Sequence, residues 1–76
     1  MNILLIGYGK MGKMIERLAK EKGHNIACII DIDDSWDKVN DKKIDVAIDF
    51  STPKSVMSNI DSCFKRHIPL VVGTTG

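Results

Sequence analysis

Three short stretches of this chain have the residue types and spacing to do chemistry. The first is G-Y-G-K-M-G, residues 7–12. Its G-x-G-x-x-G spacing follows the apolar run N-I-L-L-I and opens a stretch of helical periodicity. Gly7 would permit a tight turn. Gly9 would let a diphosphate approach the backbone, and Gly12 would let helix and strand pack closely. The chemistry is anion binding, because the first N–H groups of a helix have no acceptor within it. Asp31 ends the next apolar run, about twenty residues on, where a carboxylate can accept hydrogen bonds from a ribose hydroxyl. Such a carboxylate repels a 2′-phosphate and favours NAD over NADP. No arginine follows Asp31 to clamp that phosphate, which leaves Lys10 and Lys13 as the nearby cations.

The bland reading of Asp31 is a solvated loop charge, since Asp33, Asp34 and Asp37 crowd the same segment. These aspartates resemble half of a calcium loop, but the required glycine and terminal glutamate are missing. The second stretch is I-D-F-S-T-P, residues 48–53, and the third is V-V-G-T-T-G, residues 71–76. Ser51 or Thr52 can cap a helix that has Pro53 in its first turn. The functional reading adds Phe50 and Ser51 as a cofactor wall. Gly73 would allow close approach, with Thr74 and Thr75 offering donors without bulk.

The elements that must position these stretches can be read from periodicity. Asn2 to Ile6 suits a strand covered on both faces. Met11, Met14, Ile15, Leu18 and Ala19 recur at helical spacing up to the stop signal at Gly23. Ile26 to Ile30 is a second strand. The charged segment Asp31 to Lys43 reads as a loop with one helical turn around Trp36 to Val39, and Trp36 is expected over the sheet edge. Asp45 to Phe50 is a third strand, Pro53 to about Arg66 a second helix, and Ile68 to Val72 a fourth strand. The second helix carries Val56, Met57, Ile60, Cys63 and Phe64 on one stripe. Met11, Met14 and Met57 are expected in the core, with Met11 also close to the cofactor.

Strands alternating with helices imply an α/β fold with a parallel sheet. The fold class expected is a Rossmann-type parallel sheet, incomplete, with about four strands and two main helices. In such a sheet, ligands bind outside the carboxyl ends of the strands. That is where all three stretches fall.

With 76 residues, a net charge of +1 and 43% hydrophobic residues, the chain is at most one small domain. The near-neutral charge leaves no footprint for nucleic acid. No apolar run nears the ~20 residues of a membrane span, and the start lacks the features of a signal peptide. The cytoplasm is the expected setting. Cys28 and Cys63 read as two buried thiols. His24 and His67 each precede a strand near solvent and are not expected to be catalytic.

GYGKMG, IDFSTP and VVGTTG, in this order and spacing, resemble the N-terminal part of the dihydrodipicolinate reductase family. The resemblance covers the whole chain. The pairing of the D-F-S-x-P and G-T-T-G loops is its specific part. It implies that Gly7, Tyr8, Lys10, Met11 and Gly12 line the pyrophosphate turn, with Asp31 at the ribose. It implies Phe50 and Ser51 beside the cofactor, and Gly73 and Thr75 near the nicotinamide. The implied cofactor is NADH or NADPH, since family members often accept both. The complete enzyme, by this resemblance, is a homo-oligomeric reductase of lysine and diaminopimelate biosynthesis. A second domain there carries a histidine-rich motif, a lysine and a P-S-G-T stretch that bind substrate. Residues 1–76 are therefore expected to be the N-terminal part of a dinucleotide-binding domain. The substrate and catalytic domain is expected to lie outside them, and the chain alone is expected to be inactive. Alternatives are a nicotinamide dehydrogenase like aspartate or homoserine dehydrogenase, a nucleotide-sensing Rossmann module, and a marginal fragment that binds nothing.

Overall fold

The computed structural model describes residues 1–31 and 33–73. Four strands, β1 (Asn2–Ile6), β2 (Asn25–Ile30), β3 (Val46–Asp49) and β4 (Leu70–Val72), form one sheet. Two helices, α1 (Lys10–Glu21) and α2 (Pro53–Lys65), complete the frame with a 3₁₀ turn at Trp36–Val39. The strand order is β2-β1-β3-β4 and every pairing is parallel. The incomplete Rossmann-type sheet expected from the sequence is borne out.

The alternation of β1 explains the layers. Leu4 and Ile6 point to one face, where they meet Cys28, Ile30, Val39, Ala47 and Cys63. Ile3 and Leu5 point to the other and meet Ala19 of α1. Leu4 and Leu5 are both fully buried, so β1 is covered on each side, as a central parallel strand should be. The chain leaves β1 toward β2 on one side and later returns to β3 on the other. Crossovers of one hand then place the two helices on opposite faces. The order reverses between β1 and β3, and a crevice opens at that point beyond the carboxyl ends. Register sharpens it. Ile6 is level with both Ile30 and Asp49, and Asp49 is level with Val72.

Several sequence expectations need correction. Met11 and Met14 are each 52% exposed and Met57 is 74% exposed, so none of them is core. Leu18, Ile60 and Phe64 are exposed as well. Each helix meets the sheet through a narrower set, with Gly12 and Ala19 buried on α1 and Asn59 and Cys63 on α2. Small inward residues bring the helix axes close, and four short strands cover only part of each apolar stripe. β1 matches its apolar run and β2 begins one residue earlier, at Asn25, but β3 and β4 are shorter than theirs. Asp45 and Phe50 flank β3 yet still bond across to β1, Asp45 N–H to the Asn2 carbonyl and Phe50 N–H to the Ile6 carbonyl. At β4, His67 has φ +57° and Pro69 lacks an N–H, which delays the strand to Leu70. Trp36 packs against the buried cluster as expected, with the Arg66 guanidinium 5.4 Å from its ring centre. Both cysteines are free and buried.

Candidate functional site

The crevice is an open cleft of about 640 Å³, lined by the ends of β1, β2 and β3 and the first turns that follow them. Its floor begins at Gly7. Gly7 has φ +88°, a conformation L side chains rarely adopt, and its N–H donates to the Ile30 carbonyl at 2.7 Å. A Cβ there would also lie 2.9 Å from the backbone of Phe50 and Ser51. The turn after β1 thus touches the turn after β3, and only a glycine fits between them. Gly12 does its packing closer to home than the spacing suggests: a Cβ on it would lie 2.8 Å from the Gly7 carbonyl oxygen. The first turn of α1 therefore folds directly over the glycine turn.

Gly9 is the opposite case, with open space where a Cβ would be. It is the N-cap of α1, with no side-chain cap and no acidic residue in the first turn. The first N–H to find a helical acceptor is that of Lys13, which donates to the Gly9 carbonyl at 3.0 Å. The amides of Lys10, Met11 and Gly12 thus have no helical acceptor. The dipole of α1 adds a positive field there, which suits an anion.

Tyr8 lines the cleft and its side chain reaches along α1. Its phenol donates to the Glu16 carboxylate, and the Lys13 ammonium stands 5.7 Å from its ring centre. That hydrogen bond raises the phenol above its ordinary value and lowers the Glu16 carboxyl, with Lys20 adding to the latter from 3.5 Å. Asp31 stands exposed at the end of β2, on the rim of the cleft. Its N–H donates to the Asp34 carboxylate at 2.8 Å and its carbonyl accepts from the Asp34 N–H at 2.9 Å. The Asp31 amide is the main reason that the Asp34 carboxyl lies below its ordinary value. The loop therefore brings a second carboxylate, Asp34, to the rim. Sequence reading had seen Asp34 only as a neighbouring charge.

Phe50 and Ser51 line the cleft across from this rim. Gly73 lies against Phe50, since a Cβ on it would be 2.5 Å from the ring edge. Thr74 and Thr75 lie outside the described residues. The hydroxyls of the D-F-S-T-P loop do not cap α2 as expected. Thr52 is the N-cap but bonds no backbone amide; its Oγ1 is 3.2 Å from the Ser55 hydroxyl. The Ser55 N–H that such a cap would serve goes instead to the Thr52 carbonyl at 2.9 Å, and Ser51 turns inward toward Asn59.

Two residues that the sequence left without a role lie beneath this loop. Asp49 is fully buried and Asn59 nearly so. The Asp49 carboxylate accepts from the Ser51 N–H at 2.7 Å and from the Asn59 amide at 3.0 Å. The visible signals were an acid closing a buried strand and an amide on the inward face of α2. Among the described residues, no group of three or more His, Cys, Asp or Glu side chains could hold a metal. No described helix is long and apolar enough to cross a membrane.

A parallel α/β sheet with a glycine turn and an uncapped helix at its switch point defines a nucleotide-binding class of domain. Comparison with known proteins narrows it. The family model for the N-terminus of dihydrodipicolinate reductase matches residues 1–76, and the chain belongs to that family. The matched part is the family's pyridine-nucleotide-binding domain. A protein of Christiangramia forsetii named 4-hydroxy-tetrahydrodipicolinate reductase is 53% identical over 76 residues, which is 100% of this chain and 32% of that protein. A Staphylococcus aureus protein of the same name is 45% identical over 84 residues, again with 100% of this chain and 34% of the relative. The chain thus spans about a third of the length of these curated relatives.

Proposed function

We propose that this chain is the cofactor-binding segment of a 4-hydroxy-tetrahydrodipicolinate reductase and that it takes NADH or NADPH in the cleft between β1 and β3. The observation that carries this reading is the uncapped first turn of α1, whose free amides open beside Gly9. The diphosphate is held by the turn from Gly7 through Tyr8, Gly9, Lys10, Met11 and Gly12. Asp31 takes the adenosine ribose, Phe50 and Ser51 wall the cofactor, and the family resemblance assigns Gly73 and Thr75 to the nicotinamide, with Thr74 also among the cofactor-binding residues. NADH is favoured over NADPH in this reading, because Asp31 and Asp34 both line the cleft and their charge would oppose a 2′-phosphate. When bound, the cofactor supplies a hydride. In the complete enzyme its acceptor is a cyclic, unsaturated dicarboxylate on the route to lysine and diaminopimelate.

The segment's own contribution is to bind and orient the cofactor and keep one side of it from water. The substrate site belongs to a further domain, the complete enzyme is a homo-oligomer, and its setting is the cytoplasm. The test is titration of the purified chain with each reduced cofactor, followed by nicotinamide fluorescence. Saturable binding of both, tighter for NADH, is expected, and Asp31→Ala should narrow the gap between them. Failure of both cofactors to bind the folded chain would refute the reading. No reductase turnover is expected from this chain alone.

A further inference from the structure

The buried Asp49–Asn59 pair is not needed to cover the core, and its place suggests another task. Asp49 joins three parts of the rim. Its carbonyl accepts from the Gly73 N–H at 2.8 Å, its Oδ1 accepts from the Ser51 N–H at 2.7 Å, and its Oδ2 accepts from Asn59 Nδ2 at 3.0 Å. A carboxylate only accepts, so the Asn59 amide must present its NH₂ to it. The same nitrogen lies 3.0 Å from Ser51 Oγ. One amide hydrogen thus goes to Asp49 and the other to Ser51, which makes the serine oxygen an acceptor. The hydroxyl hydrogen must then point elsewhere. Among the described residues it reaches the Thr52 carbonyl, at the outer limit of 3.5 Å. The Phe50 N–H is committed to the Ile6 carbonyl at 2.8 Å, so neither amide of the Phe50–Ser51 turn is open to a ligand.

We propose that Asp49, acting through Asn59 and Ser51, is a positioning residue for dinucleotide binding. It takes up the backbone donor of the turn and directs the Ser51 hydroxyl hydrogen into the cleft, toward an acceptor oxygen of the cofactor. The inference rests on the cleft being the dinucleotide site.

The test is a double-mutant cycle on NADH affinity with Asp49→Asn, Ser51→Ala and the pair together, each shown folded by circular dichroism under the binding conditions. Ser51→Ala is expected to weaken binding about tenfold, and Asp49→Asn at least as much. The double variant should bind no more weakly than Asp49→Asn alone, because both changes remove one hydrogen bond. A merely structural role would lower the urea midpoint and leave the two affinity losses additive, which would overturn the proposal. Should Asp49→Asn not fold, hydrogen exchange at the Ser51 amide of the unaltered chain decides. Protection like that of the sheet amides is expected, and exchange at the rate of an unstructured amide overturns the proposal. Absence of NADH binding by the unaltered chain would defeat the functional reading itself. Binding with an additive cycle would defeat only the role of Asp49.

Discussion

The turn after β1 and the turn after β3 stand side by side at one switch point, and each feeds a helix, yet they differ in what they offer. The first has no side chain at two of its first three positions, and it leads into a helix start whose N–H groups are open. The second has its amides taken, by Ile6 for Phe50 and by Asp49 for Ser51, and presents an aromatic ring and hydroxyls instead. The lesson is a division of labour. Backbone amides suit a group of fixed charge whatever surrounds it, whereas side chains can be aimed at particular atoms.

That contrast can be broken most severely at Gly7, where the two turns meet. Gly7→Ala combines a positive φ with a 2.9 Å approach to the Phe50 and Ser51 backbone. The conformational strain alone is about 1–3 kcal/mol. A large fall in the urea midpoint is expected; an unchanged midpoint would mean that the turns can part freely. Gly9→Ala separates binding from folding. Nothing stands within 4 Å of a Cβ at this position, so the loss of stability should stay below about 1 kcal/mol. NADH affinity should nevertheless fall more than tenfold, since the methyl group occupies the space before the open amides. Equal affinity by fluorescence titration would remove the first turn of α1 from the site.

A smaller effect is expected at Thr52. A serine or threonine N-cap commonly contributes about 1 kcal/mol. Thr52 bonds no backbone amide, so Thr52→Ala should change the unfolding free energy by less than about 0.5 kcal/mol. A full capping loss in a urea titration would show that the hydroxyl does serve the helix.

The smallest effect is the pH dependence of the Tyr8–Glu16 contact. Glu16 is lowered from 4.5 by the phenol, so its stabilisation is present above that value and is lost as pH falls through the lower folded one. Tyr8 is raised from 10.0, so its stabilisation is present below that value and is lost as pH rises through the higher folded one. Tyr8→Phe should flatten both limbs of the urea midpoint against pH. If both limbs persist in the variant, another pair is responsible.

Much of the frame was legible because it depends on local rules. Glycine, proline and a change of period mark where β1 ends, where α2 begins and where the 3₁₀ turn at Trp36–Val39 lies. Burial of the methionine and phenylalanine stripes was not legible. A helical stripe records what a helix could bury, and only the packed sheet decides how much of it is covered. Ala19 and Cys63 are buried while Leu18 and Phe64 beside them are not. Within the site, the glycine turn follows from backbone geometry alone. The Asp49–Asn59 pairing joins residues ten positions apart through a third, and it emerges only once β3 and α2 are laid together. Asp34 was missed for the opposite reason, because one more aspartate in an acidic loop carries no signal until the loop folds back.

Cys63 is 1% exposed, and burial pushes its thiol up to about 11, with the nearby Asp49 carboxylate adding to the rise. Attack on a disulfide reagent requires a thiolate that can reach it. Both cysteines are buried in one apolar cluster in the folded chain, so colour from such a reagent is expected to follow the rate at which molecules come apart. The chain therefore carries its own stopwatch for rupture, readable without any label and slowed by whatever fills the cleft.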